Sequence, residues 1–175
     1  MLIPILISVA AVVALFVIIV LMQAADFKVS RSTKVKASAQ KAFEQVHDLH
    51  LMNAWNPWVK LDPNIKQTYS GAASGVGAVY DWDGNNNVGA GRQTIVETRP
   101  AELVRMKLEF FRPFAGVNEV TFTFVTEGDQ TAVTWSMTGK LNFITKAMGL
   151  FYSMDKMCGG SMAEGLASMK TIVEA

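Results

Sequence analysis

The chain has 175 residues, half of them apolar and 18% charged, with 16 basic against 15 acidic side chains for a formal charge of +1. That composition excludes a wholly disordered chain, and its near neutrality argues against non-specific nucleic-acid binding, so no nucleic-acid partner is expected. One cysteine, Cys158, excludes an internal disulfide, and two histidines, His47 and His50, leave little for a metal centre, so no metal or cofactor is expected.

Residues 2–22 (LIPILISVAAVVALFVIIVLM) form an unbroken apolar run without an ionisable side chain. At 1.5 Å per residue a helix of this length spans about 31 Å, the thickness of a hydrocarbon core. A cleaved signal wants Lys or Arg before a shorter apolar stretch and small residues at the cleavage site. Nothing basic precedes this run, and cleavage after Ala25 puts Gln23 at the third position before the cut. The run therefore reads as a retained single-pass anchor. Lys28, Arg31, Lys34 and Lys36 follow it and favour a cytoplasmic location for what comes after, although they also read as part of a strand.

Residues 27–37 are polar and β-branched and predict a strand. Ser38 stands as an N-cap before AQKAFEQVHDL, where Ala42, Phe43, Val46 and Leu49 recur at helical spacing. A second short helical or irregular piece, HLMNAWNPW, stops at Pro57 and is closed off by Asp62, Pro63 and Asn64. Six strand segments follow: IKQTYS, GAVYDWD, VGAGRQTIVET, ELVRMKLEFF, NEVTFTFVTE and TAVTWSMTGK, separated by turn residues. Residues 142–174 return to a helical period, with Phe143, Ala147, Leu150, Met154, Cys158, Met162, Leu166, Met169 and Val173 in one stripe. The domains expected are thus an anchor, 2–22, and one folded unit, 27–174.

Tight turns fix register. The Gly128-Asp129 turn pairs Phe124 with Val133, Phe122 with Trp135 and Val120 with Met137. The connection at 112–116 is expected to pair Val104 with Phe124, Met106 with Phe122 and Leu108 with Val120. The Pro100-Ala101 turn is expected to pair Glu97 with Val104, Ile95 with Met106 and Gln93 with Leu108. One sheet face then carries the rows Ile95, Met106, Phe122, Trp135 and Gln93, Leu108, Val120, Met137. The other face is polar, with Arg105, Lys107, Glu109, Glu119, Thr121, Thr134 and Ser136. Extension through 84–87 sets Trp82 opposite Gly89 and Tyr80 opposite Gly91, where glycine leaves room for large rings.

Only the C-terminal helix is long enough to cover the apolar face, so the expected fold is α+β, a curved antiparallel sheet gripping a long helix. Gly149, Gly159, Gly160 and Gly165 weaken that helix by roughly 1 kcal/mol each, which a bend, a close approach to the sheet or a void beneath it has to explain. Methionines 148, 154, 157, 162 and 169 suit either an adaptable cavity wall or gap-filling in the core.

In this order of elements, and in the strings NAWNPWVKLDPN, SGVGAVYDWDG, VGAGRQTI, TAVTWSMTGK and MGLFYSMDKM, the chain resembles the START-related (SRPBCC) superfamily of polyketide cyclase/dehydrase and lipid transport type, in particular short membrane-anchored bacterial members. The resemblance covers about Phe27 to Val173 and implies a START/Bet-v-1-like helix-grip fold. It further implies a cavity between sheet and helix that takes lipids, sterols, polyketides or aromatic molecules. It implies no common catalytic set.

A ligand held there is expected to meet Tyr80 and Trp82 from the third strand and Gln93, Ile95 and Glu97 from the fourth. Met106, Leu108 and Phe110 come from the fifth, Asn118 and Phe122 from the sixth, Trp135 and Met137 from the seventh, and Met154, Cys158 and Met162 from the helix. Gln93 is the anomaly, an amide within an apolar face, either orienting a ligand or bonded to backbone or water. Glu97 is a general acid or base if desolvated, and otherwise a solvated residue at the rim; Asn118 is a polar candidate for the cavity mouth. Trp55 and Trp58 form either an aromatic gate or packing, and the histidine pair lacks a third ligand. The expected function is a membrane-tethered binding domain for a hydrophobic or amphipathic small molecule. The rivals are a cyclase- or hydratase-type enzyme using Gln93 and Glu97, and a protein-interaction module with a vestigial cavity.

Overall fold

The computed structural model describes residues 2–175. After α1 (Leu2–Met22), β1 (Asp26–Val35) leads to α2 (Ala39–His47) and α3 (Leu49–Trp55). Six strands follow: β2 (Lys66–Gly71), β3 (Ala78–Asp83), β4 (Ala90–Arg99), β5 (Leu103–Arg112), β6 (Gly116–Glu127) and β7 (Gln130–Lys140). Two helices, α4 (Phe143–Gly149) and α5 (Met154–Glu174), end the chain. The helix starts are written in capping side chains: Ser38 accepts from the Lys41 N–H, Asp48 from His50, Asn142 from Thr145 and Ser153 from Lys156.

All seven strands join one antiparallel sheet in the order β1-β7-β6-β5-β4-β3-β2. Because β1 returns to pair with the last strand, the helices between β1 and β2 lie across the same face as α5. The fold is the expected α+β helix grip. Its core is the inner sheet face, α2, α3 and the C-terminal part of α5: Phe43 meets Phe124 edge-on at 5.9 Å, and Trp55 meets Phe122 at 6.1 Å and Trp135 at 5.7 Å. The outer face is polar, with ladders such as Ser30 with Ser136 and an Asp81–Arg92 ion pair at 2.7 Å.

Three expectations of register are corrected. The β6–β7 pairing is as read from its turn, but β5 and β6 pair Val104 with Phe122, Met106 with Val120 and Leu108 with Asn118. The reversal takes the five residues between Phe110 and Gly116 rather than three, a slip of two that keeps the face. Likewise Tyr80 faces Gln93 and Trp82 faces Gly91, because the loop between Asp83 and Ala90 is longer than four residues. A Cβ on Gly91 would come to 2.5 Å from the Trp82 ring, so glycine does make room, for one ring instead of two. Third, β4 carries a bulge between Ile95 and Glu97, so Glu97 pairs with Arg105 and turns to the outer face.

The C-terminal segment is two helices, separated at 150–153. The buried stripe is confined to α5, with Met162, Leu166, Met169 and Val173, while Phe143 is exposed. Two of its glycines answer the close-approach reading: Gly165 faces Pro57 and Trp135, each 3.0 Å from where its Cβ would sit, and Gly159 makes room for the Arg31 guanidinium. Arg31 reaches under α5 to Asp155 at 2.8 Å, and at the other end Glu174 accepts from the Lys36 N–H at 2.6 Å. α5 is thereby clamped along β1.

Candidate functional site

The inner face does not pack solid throughout. At one end, Ile95, Met106 and Phe122 are buried with Phe43 and Val133 against α2, and this end is filled. Towards the other end a cavity of about 120 Å³ remains between sheet, α3 and α5. Tyr80 and Trp82 of β3, Gln93 of β4, and Leu108 and Phe110 of β5 form its floor together with Val120, Trp135 and Met137; Cys158 and Met162 of α5 roof it. A third wall comes from Met52, Asn56, Trp58 and Val59, with Ile65 and Val88 at the rim. Tyr80, Gln93, Met52 and Trp135 are buried at its deep end, whereas Trp82, Phe110, Val59, Ile65 and Val88 are partly exposed and form its mouth.

Nine expected site residues are thus brought together, and six are not. Ile95, Met106 and Phe122 belong to the filled end; Met154 stands half-buried at the start of α5, off the lining. Asn118 lies over Gly139, its amide nitrogen 4.0 Å from the Met137 sulfur. Glu97, expected on the cavity face, instead pairs with Arg105 at 2.7 Å and with Arg99 at 3.6 Å on the outside. The Gln93 and Glu97 pair required by the enzyme reading is therefore split across the sheet.

The α3 wall was missed as a cavity wall, although Leu49, Met52, Asn53 and Asn56 already stand at the i, i+3, i+4, i+7 spacing of one helix face. Trp55 is core, and Trp58 at the mouth meets Trp135 edge-on at 5.6 Å, so the gate reading suits Trp58 alone. Asn56 is held by Asn53 at 3.1 Å and by the Trp58 N–H at 3.1 Å, which fixes the wall. The histidines are used elsewhere: His50 stacks on Tyr69 at 3.7 Å and His47 tilts onto Phe43 at 5.0 Å.

No charged side chain lines the cavity among the described residues, and two polar groups inside it lack good partners. The Tyr80 hydroxyl is buried with no hydrogen-bond partner among the described residues. Burial, with a smaller contribution from Tyr69, pushes its pKa above the usual phenol range, so it is a neutral hydroxyl able to donate or accept. Directly across the strand pair, the Gln93 amide donates only to sulfur, to Met106 at 2.7 Å and Met52 at 3.9 Å. Sulfur is a weak acceptor, and a buried polar group without a full partner costs about 1 to 3 kcal/mol. The site is an apolar pocket with two adjacent hydrogen-bonding groups held in reserve.

A seven-stranded sheet gripping a C-terminal helix over a ligand-sized hollow defines the helix-grip class. Residues 26–174 match the family model described as polyketide cyclase / dehydrase and lipid transport, and the chain belongs to that family. No curated protein matches the sequence significantly. Among solved structures, truncated norcoclaurine synthase from Thalictrum flavum superposes with a TM-score of 0.66 at 13% identity, covering 86% of this chain and 96% of that one. Major latex-like protein 151 from Panax ginseng gives 0.62 at 16%, covering 87% and 100%. The di-domain ARO/CYC StfQ of the steffimycin biosynthetic pathway gives 0.62 at 10%, covering 86% of this chain and 51% of that one. At such identities the likeness shows the fold alone.

Proposed function

We propose that the protein is a membrane-tethered binding domain, with α1 as the anchor and residues 27–174 as a cytoplasmic domain that holds a neutral, largely apolar molecule between sheet and α5. The observation that carries this reading is the uncharged cavity with the unpartnered Tyr80 hydroxyl and the weakly bonded Gln93 amide inside it. The family's description, which includes lipid transport, supports the apolar class of ligand. The length and hydropathy of α1, and its nearly complete exposure outside the core, support the anchor.

Size and chemistry narrow the ligand. An apolar cavity of about 150 Å³ accommodates benzene, and pockets for larger molecules run to about 300 Å³ and above. A hollow of about 120 Å³ is slightly smaller than the first of these, so it takes at most one ring or a short branched chain, part of which extends into the open mouth. A carboxylate or ammonium there lacks a counter-charge and is disfavoured by desolvation. The best ligand class is a neutral ring bearing one hydroxyl or carbonyl that reaches Tyr80 and Gln93.

Three tryptophans, Trp58, Trp82 and Trp135, line the pocket and supply the readout. Titration of the purified full chain with p-cresol is expected to give saturable quenching, and benzoate at neutral pH none. Equal response to both, or no response to p-cresol together with no lipid recovered by extraction, overturns the reading.

A further inference from the structure

The open end of the cavity and the point where the chain leaves α1 are at the same end of the sheet. Asp26 begins β1 opposite Lys140; Gly139 faces Asn118, Phe110 faces Gly116, Ala90 faces Arg112, and Asp83 faces Ala90. Those pairs run along one edge from the anchor to the mouth residues Trp82, Val88 and Phe110. Four strand spacings separate β1 from β4 in the sheet order, about 19 Å. Between Met22 and Asp26 the chain reaches at most about 14 Å. If α1 spans a bilayer, the β1 corner of this edge is held at the headgroups, and the mouth lies about 19 Å further along it, so a contact beyond the tether is needed to seat the mouth.

Around that edge stands an apolar fringe without a partner among the described residues. Phe143 and Ile144 of α4, then Phe151 and Tyr152 in the linker to α5, are exposed, Phe151 to 79%. Phe111 and Phe114 of the β5–β6 turn are exposed beside the mouth. α4 packs against α1, which places the first group next to the anchor. Lys28, Lys140, Lys146 and Lys156 lie among these residues, and none has an ion-pair partner among the described residues; Asp26 and Glu119 are the acidic groups nearby without one, while Asp155 is committed to Arg31, Asp83 to Arg112 and Glu109 to Lys107. Aromatic side chains interleaved with free lysines are the composition of a bilayer interface, where rings enter the acyl boundary and ammonium groups meet anionic headgroups.

We propose that this fringe is a second membrane contact, which seats the cavity mouth on an anionic bilayer so that ligand passes between pocket and membrane without crossing bulk water. The proposal rests on the anchor reading of α1 and adds the orientation of the domain upon it.

The test uses the full chain carrying Cys158→Ala, reconstituted in nanodiscs of phosphatidylcholine and phosphatidylglycerol, with single cysteines labelled by an environment-sensitive fluorophore. Phe151→Cys and Ile144→Cys report the fringe, Val12→Cys the anchor, and Asp129→Cys the opposite sheet end. Lipid-borne quencher is expected to quench positions 151 and 144 several-fold more than 129, with 12 quenched most. Quenching at 12 while 151 and 144 behave like 129 overturns this inference and leaves the anchor standing. No quenching at 12 overturns the anchor reading itself. A label at 151 shielded from water-soluble quencher yet unreached from the lipid means that protein covers the fringe, either a second copy or a partner, and also overturns the proposal.

Discussion

Tyr80 and Gln93 face each other across β3 and β4 with less hydrogen bonding than buried groups of their kind normally have. A residue retained for the fold is expected to be satisfied by the fold, so these two are better explained by what enters the cavity. Tyr80→Phe removes a hydroxyl that bonds to nothing in the described chain, and the empty protein is expected to gain about 1 kcal/mol in stability, measured by denaturant unfolding. Affinity for a hydroxylated ring is expected to fall roughly two- to tenfold in the same variant, the worth of one hydrogen bond. Lost stability with unchanged affinity means the hydroxyl serves the core. Cys158 offers a second probe, because burial, and secondarily Asp155, raises its thiol pKa. Its alkylation at neutral pH is expected to be slow, to accelerate only above the ordinary thiol range, and to slow further when a ligand fills the pocket, as followed by mass spectrometry.

At the scale of elements, α5 is both roof and clamp, and its glycines separate these roles. Gly165 faces Pro57 and Trp135 at contact distance, so Gly165→Val is expected to lift the helix off the tryptophans and cost about 1 to 3 kcal/mol. Gly160 faces open space, so Gly160→Ala is expected to stabilise by up to about 1 kcal/mol through helix propensity alone. Thermal unfolding of the two variants should therefore move in opposite directions. The ends of α5 are also acid-sensitive. The Arg31 guanidinium holds the Asp155 carboxyl below its usual range, and the Lys36 N–H, followed by Lys170, does so for Glu174. A depressed carboxyl pKa contributes stability above the unfolded value and loses it as pH falls through the folded one. The hydrogen-exchange protection of α5, taken relative to the intrinsic rate at each pH, is thus expected to fall on the acid side of the ordinary carboxylate range, and Asp155→Asn to flatten that dependence. The glycines raised close approach as one of three readings, but the periodicity, which sees one stripe from Phe143 to Val173, showed neither which glycines are approached nor the clamps at the helix ends. The break after Gly149 is set by the Ser153 cap, and the room at Gly159 by an arginine 128 positions away in sequence, a distance no local pattern records.

For the molecule as a whole, alternation and turns were enough to read the seven strands, the polarity of both faces and the gripping helix. They failed where the backbone adds residues, harmlessly where the addition keeps parity and consequentially where it does not. The longer β3–β4 and β5–β6 loops moved Tyr80 and Leu108 two places along their partners while leaving them inside, so most of the cavity floor survived the error. The bulge at Val96 adds a single residue, and one residue was enough to turn Glu97 from the pocket to a surface ion pair. The same separation of core from periphery allows a prediction for α1. The core cluster draws no side chain from it among the described residues, although Val20 is buried. Residues 26–175 alone are therefore expected to unfold cooperatively and to bind a water-soluble ring as the full chain does, measured by chemical denaturation and tryptophan quenching. For a ligand dissolved in vesicles the outcome should differ, because the anchor raises the concentration of binding site at the bilayer. Uptake from vesicles is expected to drop at least tenfold on removal of α1 and to recover when another single-pass helix is fused at Asp26. Aggregation of the shortened chain, or lost affinity for the soluble ring, would show instead that the packing of α1 on α4 completes the fold.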